Sequence, residues 1–373
     1  MIALVGAYAA GEGESWPRPA DLTSLIDVAA RHQLTPILES ALRDSLAADP
    51  ATAATLRRER YHTARRQAQL ALLAGPFLDA LRARAIPVIV LKGGILADRD
   101  YLTPEDRPMQ DVDLLVRPGD VDKALAAAGD VGLQRFDDAH TLDFDLGFDA
   151  TTVLTRHPHD LRQPSLDLHW GVLRDWIGTR GDGWLVTAWE RAEPASYAGR
   201  AVLTLAPADQ FVHLALHLAI HHTFDGLLWF CDLALMIRNH GQRIDWGDVV
   251  TGARRLGFGG ALTLILELLD ELFGVRPPDG VLRRLAPRSW RHALARRLVR
   301  SRVLRLQPLS HLEYLIPLLL MDSSRKALGT VWRRVVPSQR WLELRYPETR
   351  WPLHYVRHGL ATARFAVRTV RGR

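Results

Sequence analysis

Residues 91–116 read LKGGILADRDYLTPEDRPMQDVDLLV. Asp111 and Asp113 stand in an apolar run with Val112, Leu114, Leu115 and Val116. On an extended strand, residues two apart share a face, so both carboxylates point one way while Val112 and Leu114 point the other, into a core. Adjacent carboxylates repel, so one must take a proton or a cation must meet both. A divalent ion such as Mg²⁺ resolves this, because it takes hard oxygen ligands and bridges to phosphate. A third carboxylate on a neighbouring strand would complete a site for phosphoryl chemistry. Asp167, held between Leu166 and Leu168, has the required character. His169 follows two residues later on the same strand face, placed to orient that acid, to touch a phosphate, or to pack.

Upstream, the run Val88–Leu91 stops at Lys92, Gly93 and Gly94. Glycine lets a backbone approach a ligand closely, and a helix start offers free N–H groups to anions. Gly93 and Gly94 therefore read as a phosphate cradle. Neither GxxxxGK[ST] nor GxGxxG occurs here, so this is neither a P-loop nor a dinucleotide fingerprint. Lys92 is one of three lysines in a chain with 45 arginines. Lys92 and Arg107 are the candidates for phosphate or pyrophosphate charge. Each has a plainer reading: solvent exposure for Lys92, and a salt bridge to Asp111 or Glu105 for Arg107.

These groups need a scaffold. Helical spacing places helices around 22–29, 34–46 and 67–81. Strands are expected at Val88–Leu91, Val112–Val116, Gly132–Phe136, Asp143–Phe148, Thr151–Arg156 and Ser165–Trp170. A short helix follows the glycines, and 103–108 is a loop. From Pro207 the pattern is helical, clearest at 209–222, 227–239, 246–256 and 261–273. Strands mixed with helices from 85 to 175 make an α/β or α+β unit. The expected division is a helical region at 1–84, a catalytic domain at 85–205, and a helical region with a basic tail at 206–373.

The order strand, Gly-Gly, short helix, Asp-x-Asp strand and later strand aspartate resembles the polymerase-β-type nucleotidyltransferase superfamily. Lys92-Gly93-Gly94, Arg107, Asp111–Val116 and Asp167-Leu168-His169-Trp170 resemble more narrowly the bacterial uncharacterised nucleotidyltransferase family. His213, His217, Trp229 and Asp232 in the following helices are similar as well, so the likeness runs from about 20 to 280. It implies an α+β fold, a small mixed sheet flanked by helical regions. It also implies an NTP bound with Mg²⁺ and transfer of a nucleoside monophosphate to an acceptor with loss of pyrophosphate. By position, Gly93 and Gly94 would contact the triphosphate. Asp111 and Asp113 would bind metal. Asp167 would be the third acid, helping to deprotonate the acceptor hydroxyl. One departure stands out: 16 residues separate Gly94 from Asp111, more than the superfamily spacing. The loop at 103–108 accounts for the excess and is placed to shape the acceptor site.

Other features bound the partners. Residues 281–373 hold 21 Arg plus Lys against 4 Asp plus Glu, a net of +17, while the whole chain carries +6. This suggests a polyanion such as RNA, self-docking onto the acidic body, or a solvated arginine face. One cysteine, Cys231, excludes an internal disulfide and fits a reducing cytoplasm. No signal peptide and no membrane span is expected. His213, His217 and His221 share one helix face, but HLALH lacks the glutamate of HExxH, so buried histidines facing the catalytic lobe are expected rather than zinc ligands. Two other functions use the same residues: a catalytically idle binding protein on this fold, and a toxin-like transferase acting on RNA or tRNA. The acceptor itself stays open among protein, peptide, RNA and small molecules.

Overall fold

The computed structural model describes residues 1–10, 22–42, 49–136, 141–160, 162–173, 182–285, 289–307, 314–350 and 352–371. The described strands are β1 (Ile89–Val90), β2 (Asp111–Leu115), β3 (Gln134–Arg135), β4 (Thr151–Thr155), β5 (Ser165–His169), β6 (Glu193–Tyr197) and β7 (Arg200–Thr204). They form one sheet in the order β3-β4-β5-β2-β1-β7-β6. The pairs β2–β5 and β1–β7 are parallel, and the other neighbours are antiparallel. Helices flank this mixed sheet, and the fold is α+β as expected.

Strand alternation divides the interior in two. Val112, Leu114, Leu166 and Leu168 face a core built with Leu70, Phe77 and Leu81 of the Pro50–Ala83 helix and with Ala124, Ala127 and Ala128 of the Val121–Asp130 helix. Ile89, Leu91 and Leu115 face the opposite way, into a larger core with Phe211, Phe230 and Leu264. Leu115 is in phase with Asp111 and Asp113, so the acidic face of β2 looks toward the helices after Pro207. Those helices are Pro207–Leu216, continued by a π turn at His217–His221, then Leu227–His240, Trp246–Leu256 and Gly259–Phe273. The first helix, Ile2–Ala10, packs here too, through Leu4, Val5 and Tyr8.

The helix expected at 67–81 is part of a longer one, Pro50–Ala83, and two further expectations differ from the structure. Asp143–Phe148 is not a strand: it lies in the Leu142–Phe144 helical turn and the Asp145–Asp149 π turn. The Thr141 hydroxyl caps that turn by accepting from the Phe144 N–H at 3.2 Å, and Phe144 meets Phe148 four residues on at 5.4 Å between ring centres. Conversely, the β6–β7 hairpin goes beyond the expected strands. Its turn is Ala198-Gly199, with φ of 51° and 71°, a two-residue hairpin geometry that glycine favours.

The loop at 103–108 is a strut. Pro104–Asp106 forms a 3₁₀ turn. The fully buried Asp106 carboxylate accepts from Tyr8 Oη at 2.9 Å, Ser40 Oγ at 2.8 Å and Arg60 Nη1 at 2.7 Å. The next residue turns the other way. Arg107 donates to both Asp232 oxygens, at 2.8 and 3.2 Å, and Tyr101 Oη donates to the same carboxylate at 2.5 Å. Adjacent residues thus tie the amino-terminal helices and the Leu227–His240 helix to the sheet. No described helix is long and apolar enough to cross a membrane.

Candidate active site

The site begins with strand register. β2 and β5 run parallel with Asp113 opposite Asp167 and Leu115 opposite His169. Asp111, Asp113, Asp167 and His169 therefore project from one face of two neighbouring strands. The Pro50–Ala83 helix secures the entry to both strands. Its Arg66 donates to Gln110 O at 2.8 Å and to Gln163 O at 3.1 Å. Nothing in the sequence separates Arg66 from the other arginines of that helix; only the fold reveals its position.

Two nitrogen groups meet the acids. Lys92 Nζ lies 2.6 Å from Asp113 Oδ1, and His169 Nε2 lies 3.0 Å from the same oxygen. Burial alone would raise the Asp113 carboxyl, but Lys92 and His169 outweigh it and hold the group well below the usual carboxylate range. Asp111 goes the other way, raised first by burial and then by the charge of Asp113. The pair thus divides its charge unequally, as two neighbouring acids must.

Lys92 is positioned at a cost. Its φ of 48° and ψ of −129° lie where side-chain-bearing residues rarely sit. It is the N-cap of the Gly93–Asp100 helix, and this twist turns the chain from β1 into that helix with Lys92 over the acids. The two glycines have different tasks. A Cβ on Gly93 would lie 2.6 Å from both Arg107 Nη1 and Met109 Sδ, on the site side. A Cβ on Gly94 would lie 2.6 Å from Val90 Cγ1, on the core side. Gly94 lets the helix pack onto the sheet, and Gly93 borders the cavity.

That cavity measures about 290 Å³. It gathers Lys92, Gly93, Arg107, Asp111, Asp113, Asp167 and His169 from the sheet side. His213, His217, His221, His222 and Trp229 form the opposite wall. The histidines do face the catalytic lobe. Burial, and then the charge of Lys92, depress His213 to about 3 and His222 to about 4, and drive His217 well below its ordinary value. His217 and His222 meet nitrogen to nitrogen at 2.8 Å, so one ring donates and the other accepts. The described histidines of this wall form no metal cluster; among described residues the ligand group is Asp113, Asp167 and His169.

Arg107 pairs with neither Asp111 nor Glu105. Its bidentate partner is Asp232, and its guanidinium carbon lies 5.1 Å from the centre of the Trp229 ring, which stacks on His222 at 4.1 Å and 15°. Asp232 raises the already high basicity of Arg107 against the opposing effect of burial. Asp232 was legible as part of the helical resemblance, but not as the partner of Arg107, which lies 125 residues away.

An acid pair on one strand, a third acid in register on its parallel neighbour, and a glycine helix start beside them define a nucleotidyltransferase-type unit. The chain belongs to the uncharacterised nucleotidyltransferase family, whose model matches residues 18–274. The match ends before the basic stretch at 281–373. No curated protein and no solved structure matches.

Proposed function

We propose that the protein transfers a nucleoside monophosphate from an NTP to an acceptor hydroxyl, releasing pyrophosphate. The observation that carries this reading is the Asp113–Asp167 register beside the Gly93 helix start. Asp111, Asp113 and Asp167 are the residues that would hold Mg²⁺. The donor set fits: ligand atoms of Asp113, Asp167 and His169 lie within 4.8 Å of one another, and Asp111 borders the same cavity. Bound there, the ion neutralises triphosphate charge and polarises the reacting phosphorus.

The other roles belong to the chain. Gly93 lets Arg107 and Met109 lie close against the helix start, where unpaired N–H groups attract anions. Lys92 supplies a mobile positive charge to the same phosphates. Arg107, held in place by Asp232, lines the cavity beside Gly93. Asp167 accepts the proton of the acceptor hydroxyl as its oxygen attacks the α-phosphorus; the α–β phosphoanhydride bond breaks and pyrophosphate departs. His213, His217 and His222, whose charged forms burial disfavours, line a polar wall that does not compete for the triphosphate by charge.

The test is transfer of label from α-³²P-NTP to cell-extract acceptors, with pyrophosphate release, in wild type and in Asp111→Asn and Asp113→Asn. Unchanged labelling in these variants would sink the assignment. One observation favours a second reading. Lys92 already pairs with Asp113, as it would in a catalytically idle binding protein on this fold. Calorimetry separates the two readings, because the idle protein would take up neither NTP nor a divalent ion.

A further inference from the structure

Asp113, Asp167 and His169 bring two carboxylates and one imidazole nitrogen together, one ligand atom from each within 4.8 Å of the others. That is not an all-oxygen set. Mg²⁺ is hard, prefers oxygen and gives up its water reluctantly. A nitrogen donor favours a first-row transition ion over Mg²⁺, and within that row Mn²⁺ is the ion best suited to carboxylates. We propose that His169 is a metal ligand and that this site takes Mn²⁺ ahead of Mg²⁺. The inference rests on the metal-dependent reading above.

The geometry supports ligation. His169 stands one register step beyond the Asp113–Asp167 pair, on the same face of the sheet. Its backbone carbonyl is fixed by the Val116 N–H at 2.9 Å. Its Nε2 lies 3.0 Å from Asp113 Oδ1. That hydrogen bond keeps the ring nitrogen and the carboxylate oxygen side by side, where both would reach one ion. Without metal, the Nε2–H donates to Asp113. Ligation needs only the other tautomer, with the proton on Nδ1 and the Nε2 lone pair turned to the ion. Lys92 Nζ holds the same Asp113 oxygen at 2.6 Å and must swing away, which frees its charge for phosphate.

A simpler role competes: His169 as a positioning residue that only orients Asp113 by hydrogen bonding. Pulsed electron paramagnetic resonance separates the two. The full-length protein is stripped with chelator and titrated with MnCl₂. Wild type is expected to show ¹⁴N modulation from a coordinated imidazole. His169→Ala and His169→Gln should lose it, the second retaining an amide donor for Asp113, with circular dichroism verifying that each variant is folded. Competition should show Mn²⁺ bound at least about 10-fold more tightly than Mg²⁺, and His169→Ala should remove about 10-fold or more of Mn²⁺ affinity while changing Mg²⁺ affinity far less. Mn²⁺ bound without ¹⁴N coupling, or equal affinity for the two ions, overturns the role of His169 and leaves the acid site standing. No binding of either ion overturns the metal-dependent reading as well.

Discussion

Lys92 Nζ reaches Asp113 Oδ1 at 2.6 Å, from a backbone twisted to φ 48°. A lysine ammonium stands where the proposed chemistry needs a metal. The two cations compete for one oxygen, which makes a measurable prediction. In Lys92→Met, Asp113 loses its main compensating charge while staying buried. Breaking a buried pair on one side costs about 3–5 kcal/mol. The variant should melt below wild type in chelator, and a divalent ion should raise its midpoint more than that of wild type, since ligand binding to the folded state adds stability. Equal metal-induced shifts in a thermal melt would show that Lys92 does not occupy the ion's place.

The Arg107–Asp232 pair is sealed, with side chains 4% and 1% exposed. Asp232→Asn should cost about 3–5 kcal/mol of unfolding free energy by urea titration, because Arg107 is left buried and unpaired. Arg107→Lys should also destabilise the protein, since an ammonium cannot make the two-pronged contact with Asp232. The double variant Arg107→Met with Asp232→Leu is expected to recover much of the loss. If the single variants melt like wild type, the strut does not carry load.

The histidine wall sets a pH dependence. His213 and His222 are held near 3 and 4 when folded, against an ordinary value near 6.5. Below pH ~6.5 the unfolded chain binds protons that the folded chain refuses, so stability rises with pH there and falls as pH drops toward 4. Above pH ~6.5 these groups contribute no slope. At pH 5 the loss is on the order of 1–2 kcal/mol per histidine. Urea midpoints at pH 7 and pH 5 should diverge in wild type and diverge less in His213→Leu, where His217 and His222 still contribute. A slope unchanged by that substitution would remove His213 from the account.

The basic carboxyl-terminal stretch makes two kinds of contact. Arg296 and Arg300 donate to Glu267 and Glu271 of the Gly259–Phe273 helix, each at 2.7 Å. That part docks onto the chain's own acidic surface. Farther on, Arg325, Arg333, Arg340, Arg350 and Arg357 are exposed. If this surface meets RNA, affinity for a single-stranded homopolymer should fall with salt, with a log–log slope of about −0.7 per phosphate contact. Arg325→Glu with Arg333→Glu should make the slope shallower by about 1.4. Fluorescence anisotropy across a salt series measures this, and binding indifferent to salt would rule out a phosphate-reading surface.

Much of the site was legible because its signals are local. Acids between leucines announce a strand face, and glycines between a strand and a helix announce a close approach. The Trp246–Leu256 helix was bounded correctly, and both its ends carry local signals. Asp245 caps the start by accepting from Gly247 and Asp248, and Gly257 ends it at φ 80°. What escaped depends on distance in the chain. Arg66, Arg60 and the partnership of Arg107 with Asp232 are created by tertiary contact, and an arginine-rich sequence offers no contrast by which to single them out. Asp143–Phe148 was misread because its alternating pattern matches a strand, while Thr141 and the Phe144–Phe148 pair favour a turn of helix. The separate duties of Gly93 and Gly94 also needed coordinates, since adjacent glycines look alike until their neighbours are known.

The strut at 103–108 bears on the choice of acceptor. Asp106 is anchored to Tyr8, Ser40 and Arg60, and Arg107 to Asp232, so two consecutive peptide units tie the approach to the carboxylate strand to the amino-terminal helices and to the helix that carries Trp229 of the opposite wall. Widening the cavity would require parting buried charges on both sides of the strut. In the proposed transfer, the site would then behave as a gauge rather than a clamp. It would admit acceptors slim enough to present one hydroxyl at the mouth, such as a chain end or a single protruding side chain, and would turn away bulkier groups by fit before chemistry begins.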